Sequence, residues 1–372
     1  MTVTPLASRT DLRDFIDLPY SLHRQDPVWV PPLRAEEAKL VDRERHPFYR
    51  HAAAEFFLAR DAAGRAVGRI AAIENRLHNE THRDRTGFWG FLEAPDDPGM
   101  VRGLLAAAED WLRARGLASA RGPVNPSMND ICGLLVDGFD RPPCLLMPWN
   151  GPDLPRHVEA AGYAKAMDLV AWWCETGTGL RSPLMRVGDR VLAGTGARIR
   201  DLDLRRFADE LAIVRRIYNA AWSANWGFVP MTEEEFAFTA ADFRRLIGMN
   251  PKMSFVLELR GEPVGFSVGV PDINEALAAM GGRLFPWQWA YLLWKASRIR
   301  NFRVLTLGIL PEHQKSGLGV ALVTENLRRG HVTGVFGAEM GWLLETNTAM
   351  ARPLEKMGSR PYKRYRIFEK SL

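Results

Sequence analysis

A glycine-bearing loop in the last quarter of the chain carries the residues best suited to chemistry. An apolar, strand-like run ends at Pro311, and apolar residues recur at helical spacing from Leu318 onward. Between them, Gly317 and Gly319 would let the backbone approach a phosphate at a helix start, where unpaired N–H groups and the positive dipole end favour anions, and Lys315 adds positive charge. The order strand, loop, helix therefore predicts a phosphate-binding loop, although such a short pattern also fits a tight turn without a ligand.

Histidines form a second, weaker group of candidates. His78 and His82 follow a predicted hairpin and lie near Asp84, but no further ligand has clear metal-site spacing. The three cysteines show no such spacing either. We therefore predict no metal, and keep His78 as a candidate general base.

The elements that would position these residues occur in two similar series. The first series is a strand, a helix after a Thr10 cap, a hairpin, a strand and a helix, over 3–8, 11–19, 53–74, 87–93 and 101–115. The second repeats this order over 197–202, 207–222, 254–270, 304–310 and 318–329. The chain therefore looks duplicated, with a Gly-rich join over 175–196 and domains at 1–178 and 197–372.

The two predicted halves differ at the loop. Where the second half has Gln314 to Gly319, the first has Ala94-Pro-Asp-Asp-Pro-Gly-Met, and its two aspartates would repel a pyrophosphate. We expect only the second half to bind a phosphate-bearing cofactor. The first half is expected to supply the acceptor-binding surface.

Composition limits the function classes. The chain has 372 residues and a formal net charge of +5 from interspersed Lys, Arg, Asp and Glu, which favours anionic ligands or membrane surfaces and gives no indication of a nucleic-acid partner. Three cysteines suit a reducing compartment, and no signal peptide or membrane-spanning run is evident. We expect a cytoplasmic protein with possible peripheral contact at the cytoplasmic face of the inner membrane.

The loop pattern Gln314-x-x-Gly317-x-Gly319, with the later segment Leu343 to Gly358, resembles the Gcn5-related (GNAT) superfamily of acyl-CoA N-acyltransferases. The resemblance implies an α/β (α+β) fold of tandem GNAT-like halves, each a mixed, mostly antiparallel sheet flanked by helices, with acyl-CoA as co-substrate. Many members have a tyrosine acid where this chain has Leu354. The cofactor-binding residues implied are Leu307, Ile309, Gln314, Lys315, Ser316, Gly317, Leu318, Gly319, Val320 and, beside the pantetheine arm, Asn347.

A narrower resemblance covers nearly the whole chain. The stretches 68–73, 121–139, 221–230 and 362–369 resemble a bacterial family of tandem-half acyltransferases that includes ceramide synthases. It implies a long-chain amine acceptor, a sphingoid base or its 3-keto form. For 121–139, a purely structural turn network is the alternative. We assign as substrate-binding residues Asn125, Ser127, Asn129, Asp130, Asn225, Trp226, Trp287, Trp289 and Tyr362.

An aromatic insert over 284–300 also favours a lipid. The insert contains Trp287, Trp289, Tyr291 and Trp294, and its last residues include cations. This composition suits a headgroup interface or an acyl-chain wall. An ordinary core-packing helix is the alternative.

Direct acyl transfer needs a proton acceptor for the amine. Strand alternation places Glu339 and Glu345 on one face, and we rank Glu345 above Glu339; a solvated or salt-bridged carboxylate is the alternative for both. Tyr362 and Tyr365 are candidates for the missing acid, with aromatic packing as their alternative.

Two other functions use the same loop. One is an acetyl-CoA-dependent N-acetyltransferase of a small-molecule or peptide amine. The other is a non-catalytic acyl-CoA sensor, which would bind the thioester without turnover.

Overall fold

The protein divides into two compact units, each described here by itself. The computed structural model describes residues 1–283, 286–296 and 298–372; the side chains of Pro286, Trp287, Trp289, Leu293 and Ala296 lie outside the described part. The first unit comprises Met1–Leu169, Ala276–Ala290 and Lys363–Leu372, and the second comprises Val170–Glu275 and Tyr291–Tyr362.

The chain contains the following helices and strands, given in chain order. Their bounds are β1 (Thr2–Pro5), α1 (Arg9–Leu22), α2 (Arg34–Leu40), β2 (Ala52–Arg60), β3 (Ala66–Asn75), α3 (Arg76–His82), β4 (Thr86–Glu93), α4 (Pro98–Ala114), β5 (Ser119–Gly122), β6 (Val124–Asn125), β7 (Ile131–Cys132), β8 (Leu134–Asp137), α5 (Leu154–Ala160), β9 (Ala164–Glu175), α6 (Thr176–Leu180), α7 (Leu184–Thr195), β10 (Arg198–Asp201), α8 (Phe207–Trp222), α9 (Glu233–Met249), β11 (Ser254–Leu259), β12 (Glu262–Pro271), α10 (Asn274–Leu277), α11 (Pro286–Ala296), β13 (Asn301–Ile309), α12 (Leu318–Val332), β14 (Gly337–Leu344), α13 (Thr348–Lys356) and β15 (Arg360–Ser371).

The first unit is built on strands in the order β1-β2-β3-β4-β5-β15. Every neighbouring pair is antiparallel except β4 with β5. Helix α4 covers this sheet because its apolar residues recur every three or four positions, which places Val101, Leu104, Ala108 and Leu112 on one buried face.

The second unit repeats this plan with strands in the order β9-β14-β13-β12-β11-β10. Strands β10 to β13 pair antiparallel and β13 pairs parallel with β14. Val323 and Leu327 of α12 pack on Val304 and Met340 of the sheet. The predicted mixed, mostly antiparallel sheet flanked by helices is confirmed.

The structure differs from the sequence-based expectations in several individual elements, whereas the predicted domain bounds stay a prediction. Helix α1 begins at Arg9, two residues earlier than predicted, because the Ser8 hydroxyl, rather than Thr10, accepts the cap hydrogen bond from the Asp11 N–H at 3.1 Å. The expected Gly-rich join is occupied by helices α6 and α7. His78 and His82 lie in helix α3 and not in a turn. Among the described residues, no helix is both long and apolar enough to cross a membrane.

Candidate active site

The predicted phosphate loop lies between β13 and α12. A one-turn 3-10 helix at Pro311–His313 leads into exposed residues Gln314, Lys315 and Ser316. Gly317 then occupies the N-cap position with a φ of 83°, in the left-handed region that favours glycine. No side chain in the described part of the chain caps this helix, although the Leu318 N–H lies 3.3 Å from the Ser316 hydroxyl. The positive end of α12 is therefore open to an anion.

The corresponding helix of the first unit is closed. Asp97 holds the N-cap position of α4, and its carboxylate accepts hydrogen bonds from the Gly99 N–H at 2.8 Å and the Met100 N–H at 3.0 Å. The neighbouring Asp96 carboxylate lies 2.6 Å from Nε2 of His157. The protein's own carboxylate thus takes the place that a phosphate would need, which gives a structural reason for expecting donor binding in the second unit.

The surroundings of the two loop glycines differ. A Cβ at Gly317 would lie 3.1 Å from Cγ2 of Val191 on α7, whereas a Cβ at Gly319 would meet Cδ1 of Ile309 at 3.7 Å, an ordinary contact. The Gln314 side-chain amide lies 3.4 Å from the carbonyl oxygens of Ala221 and Ile309. Gly319 therefore has space for a side chain in the free protein, and Gly317 does not accept one without strain.

Strands β13 and β14 separate next to this loop. Their parallel register runs from Asn301 opposite Gly337 to Val304 opposite Met340, and within the described strands it ends there. Strand β13 continues through the predicted cofactor residues Leu307, half-buried, and Ile309, buried. Beyond Val304 and Met340 no further pairing between β13 and β14 is found within the described strands.

Helix α8 covers the same part of β13. A Cβ at Gly308 would lie 2.5 Å from the Trp222 ring, so the glycine permits the close approach of that indole. Trp222 also packs against Tyr218, with ring centroids 4.7 Å apart. The sequence analysis did not assign Trp222 to the site, although it lies inside the stretch 221–230 that carried the family resemblance.

Glu339 belongs to a buried polar row across the sheet of the second unit. Its Oε1 lies 3.2 Å from Nε of Arg303, the residue directly opposite it in the parallel register, and its Oε2 accepts a hydrogen bond from the Tyr362 hydroxyl. Arg303 also donates to the Gly341 carbonyl at 3.2 Å. Glu339 is inaccessible to solvent and paired with a cation. It therefore fits the alternative to a catalytic base that the sequence analysis gave, a salt-bridged carboxylate.

Glu345 and Asn347 lie in the turn after β14. Glu345 is exposed one residue beyond the end of the strand. Asn347 is the N-cap of α13, and its Oδ1 accepts a hydrogen bond from the Met350 N–H at 3.2 Å. Leu354, at the position where a tyrosine acid is common, is buried in the core between α12 and α13. Of the three candidate bases, Glu345 is thus the accessible carboxylate in the unit that carries the phosphate loop.

His78 lies in the first unit and is only 1% exposed. Its ring packs edge-on against Phe88 and stacks near His82, with centroids 4.8 Å and 4.3 Å away. Burial lowers the pKa of His78 to about 4, although the Asp84 carboxylate, 3.6 Å from Nε2, opposes this shift. A buried imidazole with so low a pKa is a weak proton acceptor, and its assignment as a base stays an untested prediction.

The predicted acceptor residues of the first unit surround the small β6–β7 hairpin. The Asn125 side-chain oxygen accepts a hydrogen bond from the Phe91 N–H at 2.6 Å. The Ser127 hydroxyl donates to the Asp130 carboxylate at 2.6 Å and accepts from the Asn129 N–H at 3.1 Å. These contacts shape the turn, and substrate binding by the same residues remains a prediction.

The remaining predicted residues are spread over other elements. Asn225, in the loop after α8, donates its N–H to the Trp222 carbonyl at 2.8 Å, and the half-buried Trp226 follows it. The side chains of Trp287 and Trp289 lie outside the described residues. Tyr365 is fully buried in the first unit. In the part of the chain that the structure describes, no three His, Cys, Asp or Glu side chains are grouped as a metal would require.

Two residues that the sequence analysis missed lie next to predicted site residues of the second unit, Arg303 beside Glu339 and Val191 beside Gly317. Arg303 carried no local signal, because its partner Glu339 lies 36 positions later and only the strand register brings them together. Val191 lay within the stretch interpreted as a join. In contrast, Gln314 and Gly319 lie near Ile309, and Leu307 and Val320 pack against one core cluster. Cofactor binding by these residues stays a prediction.

Known proteins share both the sequence and the fold. Protein YghO of Escherichia coli (strain K12) is 40% identical over 377 residues, which cover 100% of this chain and 95% of YghO. Bacterial ceramide synthase of Caulobacter vibrioides (strain NA1000 / CB15N) is 37% identical over 379 residues, covering 100% of this chain and 98% of the synthase. No protein-family model matches the chain.

Among solved structures, a tandem GNAT protein from the clavulanic acid biosynthesis pathway superimposes with a TM-score of 0.57 at 16% identity, covering 100% of this chain and 98% of that chain. At 16% identity, this structural similarity shows the fold alone. The family is shown by the two relatives that are 40% and 37% identical over the full chain. The chain therefore belongs to the family of tandem GNAT-fold, acyl-CoA-dependent N-acyltransferases that includes bacterial ceramide synthase.

Proposed function

We propose that this protein transfers a long-chain acyl group from acyl-CoA to the amine of a sphingoid base or a 3-keto sphingoid base. Acyl-CoA binding by the second unit is supported by the open N-terminus of α12 at Gly317, in contrast to the N-terminus of α4, which a carboxylate caps. The acceptor half is supported by 37% identity, over the full chain, to a protein named bacterial ceramide synthase.

In the proposed reaction, the amine nitrogen attacks the thioester carbonyl carbon, a C–N bond forms, and the C–S bond breaks to release the thiolate of coenzyme A, which takes up a proton from water. The backbone N–H groups at Gly317, Leu318 and Gly319 and the Lys315 ammonium hold the pyrophosphate. Glu345 accepts the proton that the attacking amine loses, directly or through water. Arg303 and Glu339 fix the geometry of the two strands on either side of the thioester arm.

The predicted acceptor-binding residues are part of this proposal: Asn125, Ser127, Asn129, Asp130, Asn225, Trp226, Trp287, Trp289 and Tyr362. So are a cytoplasmic location and a peripheral contact with the inner membrane surface, where a long-chain amine would be found.

A thiol-release screen tests the proposal. Acyl-CoA lengths from acetyl to palmitoyl would be combined with long-chain amino alcohols, their 3-keto forms and short polar amines, and products identified by mass spectrometry. We expect N-acylated long-chain product from long-chain donors. Preference for acetyl-CoA with a short amine would instead identify a small-molecule acetyltransferase, and thioester binding without thiol release from any amine would identify a sensor.

A further inference from the structure

The second unit exposes three large apolar side chains in one stretch of its surface. Val332 is 71% exposed, Phe336 58% and Trp294 55%. Val332 and Phe336 flank the turn after α12, which is anchored by the buried Val335. Leaving such side chains in water is unfavourable unless another surface covers them.

Two arginines connect these side chains. The Arg298 guanidinium stacks over the Trp294 ring at 4.0 Å and donates to the Trp294 carbonyl at 2.9 Å. The Arg300 carbonyl accepts a hydrogen bond from the Phe336 N–H at 2.8 Å. Because Arg298 and Arg300 are two residues apart, at most about 7 Å along the chain, all five residues lie in one neighbourhood.

Both guanidinium groups are available to anions. Arg298 and Arg300 are exposed, and no ion pair among the described residues engages either of them. Two acidic residues lie near this part of the chain: Glu175 precedes Thr176, whose N–H donates to the Phe336 carbonyl at 2.8 Å, and Asp272 donates its N–H to the Asn301 carbonyl at 2.9 Å. The two exposed arginines themselves lie beside exposed apolar groups.

We propose that this apolar-cationic patch, formed by Trp294, Val332 and Phe336 with Arg298 and Arg300, docks on the anionic surface of a phospholipid bilayer. An aromatic ring with a cation stacked on it suits the boundary between headgroups and acyl chains, and exposed guanidinium groups that form no ion pair among the described residues suit lipid phosphates. The patch gives a location to the peripheral membrane contact of the proposed function and in that sense rests on that proposal, but the residues are identified from exposure and charge alone.

Vesicle co-sedimentation of the full chain tests the patch. Vesicles of phosphatidylglycerol and phosphatidylcholine would be compared with pure phosphatidylcholine. Two double variants would be measured, Val332→Asp with Phe336→Asp and Arg298→Glu with Arg300→Glu. Met249→Asp, which changes another exposed apolar residue of the same unit, is the matched control. Melting temperatures confirm that each variant is folded.

We expect the wild type and Met249→Asp to bind anionic vesicles with a salt-dependent affinity, and each double variant to bind at least about tenfold more weakly. Turnover of detergent-solubilised substrate should be unchanged in the double variants. Absence of wild-type binding, or an equal loss in Met249→Asp, would overturn the patch. Vesicle binding without any N-acyl product would instead count against the proposed function and leave the patch standing.

Discussion

Arg303 and Glu339 face each other across the parallel strands β13 and β14, with Nε and Oε1 3.2 Å apart and side chains only 7% and 0% exposed. The pair lies one residue before the point where the two strands separate. A buried ion pair contributes little net stability, but losing one partner leaves an uncompensated charge. The pair therefore fixes the register of the strands next to the phosphate loop.

Removing one partner of the Arg303–Glu339 ion pair should strongly destabilise the folded protein. Arg303→Ala should lower the free energy of unfolding by about 3–5 kcal/mol, because Glu339 would stay buried without its cation. Arg328→Ala, at a partly exposed ion pair with Asp189, should cost about 1 kcal/mol or less. Denaturant unfolding measures both, and similar small losses in the two variants would contradict the account of Arg303.

Acid should destabilise the first unit through His78. Its pKa lies at about 4 in the folded protein, below the ordinary value of 6.5, so the unfolded chain takes up a proton first as the pH falls through this window. The free energy of unfolding should therefore decrease between pH 6.5 and 4, on the order of 1–3 kcal/mol from this group. In His78→Gln the melting temperature should depend less on pH, whereas the exposed His331→Gln should follow the wild type. Identical pH profiles for His78→Gln and wild type would refute the assignment.

Helix α7 offers a matched pair of glycines. A Cβ at Gly188 would lie 2.2 Å from the Thr324 hydroxyl of α12, while a Cβ at Gly194 would meet nothing within 4 Å. Gly188→Ala should cost about 1–3 kcal/mol because α7 must move away from α12, whereas Gly194→Ala should be neutral or stabilise by up to about 1 kcal/mol. Thermal unfolding distinguishes them, and an equal effect would show that the two helices do not pack as described.

Glu345 tests the proposed proton transfer. Glu345→Gln should lower kcat by about 10²–10⁴-fold, since the amine loses its proton acceptor, while acyl-CoA binding stays unchanged. Glu355→Gln, an exposed carboxylate on the neighbouring helix α13, is the control. If Glu345→Gln kept the wild-type kcat and pH–rate profile, Glu345 would not be the proton acceptor, and another group would have this role.

Local signals sufficed for part of this fold. The change from strand to helical spacing around Pro311 located β13, the loop and α12, because the spacing of apolar residues there differs clearly between the strand and the helix. The helix Glu233–Met249 was not predicted, although Thr232 and Glu235 form a capping box that the sequence alone displays. Gly188 lies in the stretch that was interpreted as a Gly-rich join. It is buried in helix α7, where the absence of a side chain permits close packing against α12.

The rest of the site depends on long-range pairing. Nothing near Arg303 indicates Glu339 or Tyr362, since the three residues meet only when separate strands align. Ser8 rather than Thr10 caps α1 because backbone geometry, and not residue type, selects between adjacent hydroxyls. The ranking of Glu345 over Glu339 followed from alternation, but the burial of Glu339 required the folded chain.

In the proposed function, the second unit alone binds the donor, through the open N-terminus of α12. Gly319 and Gly99 occupy the same position, the second residue, of α12 and α4, so Gly319→Asp and Gly99→Asp add the same charge to an open and to a capped helix start. Isothermal titration calorimetry with coenzyme A should show loss of binding in Gly319→Asp and near wild-type binding in Gly99→Asp, with both melting temperatures close to wild type. Unchanged affinity in Gly319→Asp, or loss in Gly99→Asp instead, would contradict the assignment of the donor site.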